Sequence, residues 1–506
     1  MLKRAISSIA LGLAVAFAAA PAEAGKRDGV LKFAYNQVPE NIDSYFNNVR
    51  IGVILSHHIW DHLIYRDPDS NDYKPSLATG WKWINDKTLE FELRRGVKFH
   101  NGEAFDADDV VYTLNFVSKP ENKVVTQNNV NWIASAEKLD PYKVRINLKQ
   151  PFPAALEYLA GPVVIYPNEY YAKVGPKGMN EKPVGSGPYI VTEHQPGRLV
   201  RLERNKEYFK ESPRPQPTID RIELRLIPDV NTQIAELIAG GLDFIMHISP
   251  DQAQQLKTVP HLNVIAGETM RIVFLHMNSL DKAPVAAFKD KRVRQAIAHA
   301  IDRQAMLKAV VGEGARVLHT NCFPSQFGCT DEGAQRYDYN PAKAKQLLAE
   351  AGFSNGFEFD FYAYRERHQT EAMIGYLRAV GIKANLRYMQ YAAMRDAIRK
   401  GEVPLAHQTW GSFSVNDVSA STPVYWKFLD DDVTRDQQVR DWLETGDTSV
   451  DPKARKEAYA RALKKIADEA YSVPLYSLPV SYATSKELDF KPNPDEIPRF
   501  WEAKWK

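Results

Sequence analysis

The sequence predicts an α/β protein with more than one hydrophobic core, a parallel sheet in its last third and a strand-rich region in its first. Three observations carry that expectation. The chain has 506 residues, more than a single core sustains. Short stretches between residues 81 and 148 alternate apolar and polar side chains, the period of half-buried strands. From residue 340 to 410, strand and helix patterns alternate, which implies right-handed crossovers and parallel pairing.

The chain opens with Lys3 and Arg4, a largely apolar run from Ala5 to Ala20, and the triplet Ala22, Glu23, Ala24. This is the pattern of a secretory signal peptide cleaved after Ala24; the run is short for a bilayer and Pro21 ends it. Beyond it, Gly29 to Asn36 contains a short strand pattern and Arg50 to Ile64 an amphipathic helix. Trp81 to Trp83, Leu89 to Leu93 and Val144 to Leu148 supply the alternating strands, and Val184-Gly185-Ser186-Gly187-Pro188-Tyr189 opens a new set. Asn340-Pro341 caps a helix whose apolar face is Ala344, Leu347, Leu348 and Ala351, ended by Gly352. Phe357, Phe359 and Phe361 then mark a strand. Helix (370–380), strand (382–388), helix (391–400) and strand (404–410) follow.

Composition excludes several function classes. At 44% hydrophobic and 25% charged residues the chain is ordinary globular protein, and a net charge of +2 gives no reason to expect nucleic acid or an anionic membrane as partner. No segment after the signal is apolar enough to span a membrane. The two cysteines, Cys322 and Cys329, flank Pro324 and Gly328 and in an oxidising compartment would close a local disulfide. No G-x-S-x-G, H-E-x-x-H, Walker loop or G-x-G-x-x-G occurs, so no local motif argues for an enzyme. His57, His58 and His62 lie on the first helix pattern and are the one candidate metal group; a partly exposed helix edge is the simpler reading, and no metal or cofactor is expected.

Open parallel sheets bind ligands at the carboxyl ends of their strands. That rule selects Tyr364 and Arg365 after the first strand of the last third, and Trp410, Gly411 and Ser412 after the third, with Asn416 and Asp417 in the following loop. An arginine and an aspartate on neighbouring loops suit the carboxylate and amine of a zwitterion. Arg367 beside Arg365 also permits a plain basic surface, and Asp417 also suits a cap.

Several motifs resemble, in order, the extracellular solute-binding proteins of peptide and nickel ABC transporters. They are Pro75-Ser76-Leu77-Ala78-Thr79-Gly80-Trp81, the run from Phe91 to Glu103, Val184 to Tyr189 with Asn205 to Phe209, and Phe274 to Asn278 followed by Val293 to Ile297. The resemblance implies a two-lobed periplasmic binding protein with an additional strand-rich subdomain in the first lobe. The expected divisions are a signal peptide (1–24), a first segment of lobe I (25–59), the inserted subdomain (60–182), a second segment of lobe I (183–277), lobe II with the parallel sheet (278–472) and a return to lobe I (473–506). Crossings are expected near Met270 to Met277 and Val473 to Leu478. It further implies a monomer, not an enzyme, that closes around a short peptide and delivers it to ABC permease subunits. In such proteins an aspartate after a tryptophan-glycine segment binds the ligand's amine, the position of Asp417 after Trp410-Gly411, and an arginine of the second lobe binds its carboxylate, here Arg365. Tyr45 and Asn278 complete the candidate ligand contacts. Asn416-Asp417-Val418-Ser419 stands where many relatives carry Asp-Pro-Asp, so an opine, a sugar conjugate or a metal complex remains an alternative ligand, and a periplasmic hydrolase the alternative activity.

Overall fold

The computed structural model describes residues 29–36, 41–47, 49–411 and 414–506. The signal-peptide expectation and Ser412 lie outside the described residues. Among the described residues, two large sheets of seven and five strands, a four-stranded sheet and two strand pairs organise the chain.

The first large sheet has seven strands in the order Leu262–Gly267, Val480–Ser485, Phe244–Met246, Val30–Tyr35, Arg221–Leu226, Leu199–Arg204, Tyr189–Gln195. Val30–Tyr35 lies between two parallel neighbours, with Phe33 beside Leu224 on one side and Phe244 on the other. Both faces of that strand are covered, which is why it reads as a nearly unbroken apolar run. The Phe33 ring meets Phe244 and Phe500 edge-on, at centroid distances of 5.2 and 5.5 Å.

The period-two stretches form a separate antiparallel sheet of four strands, Ala78–Asn85, Thr88–Leu93, Lys143–Leu148 and Ile133–Asp140. Its buried face carries Leu89, Phe91, Val144 and Ile146. The helix Ala107–Val117 packs on it, started by a capping box between Asp106 and Asp109. The first helix, Arg50–Ile59, is shorter than its apolar pattern. Trp60 leaves it in an extended conformation and its indole donates to the Val184 carbonyl at 3.0 Å. Gly185 and Gly187 pass so close to that helix end that a Cβ on either would lie within 2.8 Å of the Ile59 backbone. Only glycine fits there, which accounts for the Val184 to Tyr189 motif.

The second large sheet has the order Lys383–Tyr388, Glu358–Ala363, Leu405–Trp410, Ile272–Met277, Ser472–Ser477. The first three strands are parallel as expected, joined by the helices Arg367–Ala379 and Tyr391–Arg399. The sheet as a whole is mixed, since two further strands join the expected three. Ile272–Met277 arrives from the first sheet and Ser472–Ser477 leads back to it, so the two run in opposite directions and pair antiparallel, and Ile272–Met277 also runs antiparallel to Leu405–Trp410. The chain thus passes between the sheets twice, between Gly267 and Ile272 and between Ser477 and Val480. Leu478 ties the passages together: its amide donates to the Arg271 carbonyl at 2.8 Å and its carbonyl accepts from Thr269 Oγ1 at 2.6 Å.

Cys322 and Cys329 form a disulfide with Cα atoms 5.7 Å apart. Their loop turns at Gly328, with φ +83°, against the ring of Tyr459.

Candidate functional site

At the passages between the two large sheets, bordered by residues from both, lies a cavity of ≈ 570 Å³. That volume lies in the range of small-molecule sites. Its charged lining comes from distant parts of the chain. Tyr35 ends the central strand of the first sheet, Arg50 begins the first helix, and His247 follows the strand Phe244–Met246 with φ +64°. Arg271 sits on the first passage. Glu496, with φ +62°, comes from the C-terminal segment, and Arg365 leaves the carboxyl end of Glu358–Ala363.

Glu496 anchors this constellation. One carboxylate oxygen pairs with Arg50 Nε and the other with Arg271 Nε, each at 3.1 Å, and the side chain is only 4% exposed. Burial pushes its carboxyl up, but Arg271 and then Arg50 outweigh that and hold it at about 2. Burial pushes the Tyr35 phenol up to about 12 and the His247 imidazole down to about 4, so both are neutral at neutral pH. On the facing side Arg365 Nε pairs with Glu366 at 3.2 Å and keeps a third of its side chain exposed to the cavity.

Gly411 forms the wall behind Arg271. A Cβ there would lie 2.7 Å from Arg271 Nη2, so the guanidinium lies against bare backbone. Arg50 closes another side, donating from Nη1 to Ser414 Oγ at 2.8 Å and to the Asp495 carbonyl at 3.1 Å. Beyond that partition is a small cavity, ≈ 50 Å³, bordered by the ion pairs Arg66–Glu157 and Arg499–Asp495.

Of the residues selected from sequence, Arg365 lines the cleft and Gly411 shapes it through Arg271. Trp410 and Asp417 brace the loop beside it. The Trp410 indole donates to the Ala420 carbonyl at 2.7 Å, and both carboxylate oxygens of Asp417 accept from Arg455 Nη2 at 3.0 and 2.9 Å. Asp417 also accepts from the Ser419 amide and is 3% exposed. Tyr45 lies in the packed interior, its hydroxyl donating to the Val164 carbonyl at 2.5 Å and its ring edge-on to Tyr166. Asn278 follows the far end of Ile272–Met277 and is bonded to the backbone at Val403 and Pro404, about 20 Å along the strand from Arg271.

Sequence reasoning did not select Tyr35, Arg50, His247, Arg271 or Glu496. Arg271 had a signal, since it adjoins the passage expected near Met270. The other four are joined by tertiary contact alone. His58 Nδ1 lies 2.8 Å from the Ile54 carbonyl, and His62 Nδ1 accepts from Arg214 Nη2 at 2.8 Å. Among the described residues no group of three or more His, Cys, Asp or Glu is arranged to hold a metal.

A profile of the bacterial extracellular solute-binding proteins, family 5 Middle, matches residues 72–428. The chain is similar to the heme-binding protein A of Haemophilus influenzae, 28% identical over 387 residues, covering 70% of this chain and 69% of that protein. It is similar over more of its length to the glutathione-binding protein GsiB of Salmonella paratyphi A, 29% identical over 496 residues, 95% of this chain and 94% of the relative. Among solved structures, the dipeptide-binding protein from Pseudoalteromonas sp. SM9913 in complex with Met-Leu shares the fold. It has a TM-score of 0.79 and 22% identity, over 94% of this chain and all of that one.

Proposed function

This chain belongs to the bacterial extracellular solute-binding proteins of family 5, and from that premise we propose that it captures a short peptide or peptide-like solute in the periplasm for an ABC importer. The observation that carries the reading is the cavity between the two large sheets, lined from both sides, at the two passages by which the described chain joins them. Residues 278–472 act as one lobe, the rest of the mature chain as the other, and the passages around Arg271 and Leu478 as the hinge. The likeness to a glutathione-binding relative along 95% of this chain supports a peptide-like solute.

The mechanism is differential contact. A solute touching Arg50 and Tyr35 on one lobe and Arg365 on the other gains all its contacts only when the lobes are closed, and so shifts an open–closed equilibrium. Arg365 receives a carboxylate through the two terminal nitrogens of its guanidinium, and the apolar rims at Val311 and Val480 exclude water. Asp417 acts through its bond to Arg455, holding the loop after Trp410 in place. The protein works as an exported monomer with permease subunits as partners and catalyses no reaction.

The test is calorimetric titration of the mature protein with di- and tripeptides. Saturable binding of one class, weakened by Arg365→Gln, is the expected result. Tight binding that Arg365→Gln leaves untouched would remove this cleft from the account.

A further inference from the structure

The cleft holds more cation than its own carboxylates use. Among the described residues three arginines line it, Arg50, Arg271 and Arg365, against two acidic side chains, Glu366 and Glu496. Both glutamates are already paired, Glu496 with two guanidiniums and Glu366 with the Nε of Arg365. Each guanidinium presents five N–H donors in a planar fork. Arg271 spends Nε on Glu496 and Arg365 spends Nε on Glu366. Among the described residues, no protein group accepts a hydrogen bond from the terminal nitrogens of either.

A guanidinium with its side chain only 19% exposed, as in Arg271, is costly to leave with so few acceptors. Gly411, with no side chain, lets the Arg271 guanidinium lie against the backbone and offers it no side-chain acceptor. The carboxylate best suited to catch an ammonium, Asp417, is buried against Arg455 and outside the cavity lining. Among the described lining residues, an incoming ammonium therefore meets three guanidiniums and no unpaired carboxylate.

Resting on the solute-binding reading above, we infer that the cleft selects an acidic solute bearing two carboxylates, one for Arg271 and one for Arg365, over a simple zwitterion. The two forks come from the hinge passage and from the second sheet, so a diacid of fitting length joins the hinge to the moving lobe. A free ammonium contributes little to its recognition. Glu496 keeps Arg271 oriented, and its low pKa keeps it charged throughout the neutral range.

The test is calorimetry with four probes: N-acetyl-Ala-Glu, Ala-Gln, Ala-Lys and glutarate. N-acetyl-Ala-Glu is expected to bind about tenfold or more tightly than Ala-Gln, the yield of one extra charge-assisted contact. Arg365→Gln should erase most of that gap while the unliganded melting temperature stays near that of the wild type, because the side chain is a third exposed. If Ala-Gln or Ala-Lys binds as tightly as the diacid peptide, the acidic-solute inference falls and the peptide reading stands. If glutarate binds and no peptide does, the inference stands and the peptide reading falls. If no probe binds, both fall.

Discussion

At Glu496 one carboxylate orders two arginines, and that arrangement has a pH signature. Its folded-state pKa, about 2, lies below the ordinary value of 4.5, so the stability it contributes is fully present above pH 4.5 and is lost as pH falls through 2. Glu496→Gln is therefore expected to lower the melting temperature at pH 7, with the deficit shrinking as both proteins are taken toward pH 2; a constant deficit would contradict the assignment. Asp417→Ala leaves Arg455 buried without its carboxylate and is expected to cost about 3–5 kcal/mol in chemical denaturation. An amine-anchoring Asp417 would instead show intact stability and lost affinity. Gly411→Ala forces a methyl group into the Arg271 guanidinium and is expected to weaken solute binding with only a small change in unfolding free energy. Arg365 was legible in the sequence because the carboxyl-end rule points at loops after parallel strands. Arg271 and Glu496 were not read as a pair, since residues so far apart carry no spacing that announces their contact.

The three parallel strands of the second sheet and their helices were legible to within about three residues, since phenylalanines at period two and glycines after helices are local signals. Its antiparallel half was not. Ile272–Met277 is uniformly buried and its apolar run does not say which neighbour it joins. The disulfide was legible from two cysteines alone, but its location relative to the site was not. Its loop pairs with the one that carries Asp417: Phe327 N donates to the Asn416 carbonyl at 2.9 Å, and Val418 N to the Phe327 carbonyl at 3.1 Å. Replacing both cysteines with serine is expected to lower the unfolding free energy by about 2–3 kcal/mol, from loop-closure entropy over so short a ring. Hydrogen exchange should quicken at residues 415–420 as well. Unchanged exchange there would separate the disulfide from the loop that carries Asp417.

The whole molecule was legible as two α/β bodies with an inserted antiparallel sheet, through motifs spread along the chain. The position of the cleft was legible only in part, because its described lining is assembled from nine separate segments around two passages. Moving such a protein from mostly open to mostly closed requires about 5.5 kcal/mol of differential binding. Two charge-assisted carboxylate contacts supply much of that, at roughly 1.5 to 3 kcal/mol each. The most direct test is the distance between spin labels at Gln254→Cys, on the helix Pro250–Leu256 of the first sheet's side, and Arg378→Cys, on the helix Arg367–Ala379 of the second. Both positions are exposed, and the native cysteines are already bonded to each other. Saturating solute is expected to shift the distance distribution to a shorter, narrower one, and Arg365→Gln to abolish the shift at the same concentration. A distribution unmoved by a solute that calorimetry shows to be bound would contradict capture by closure.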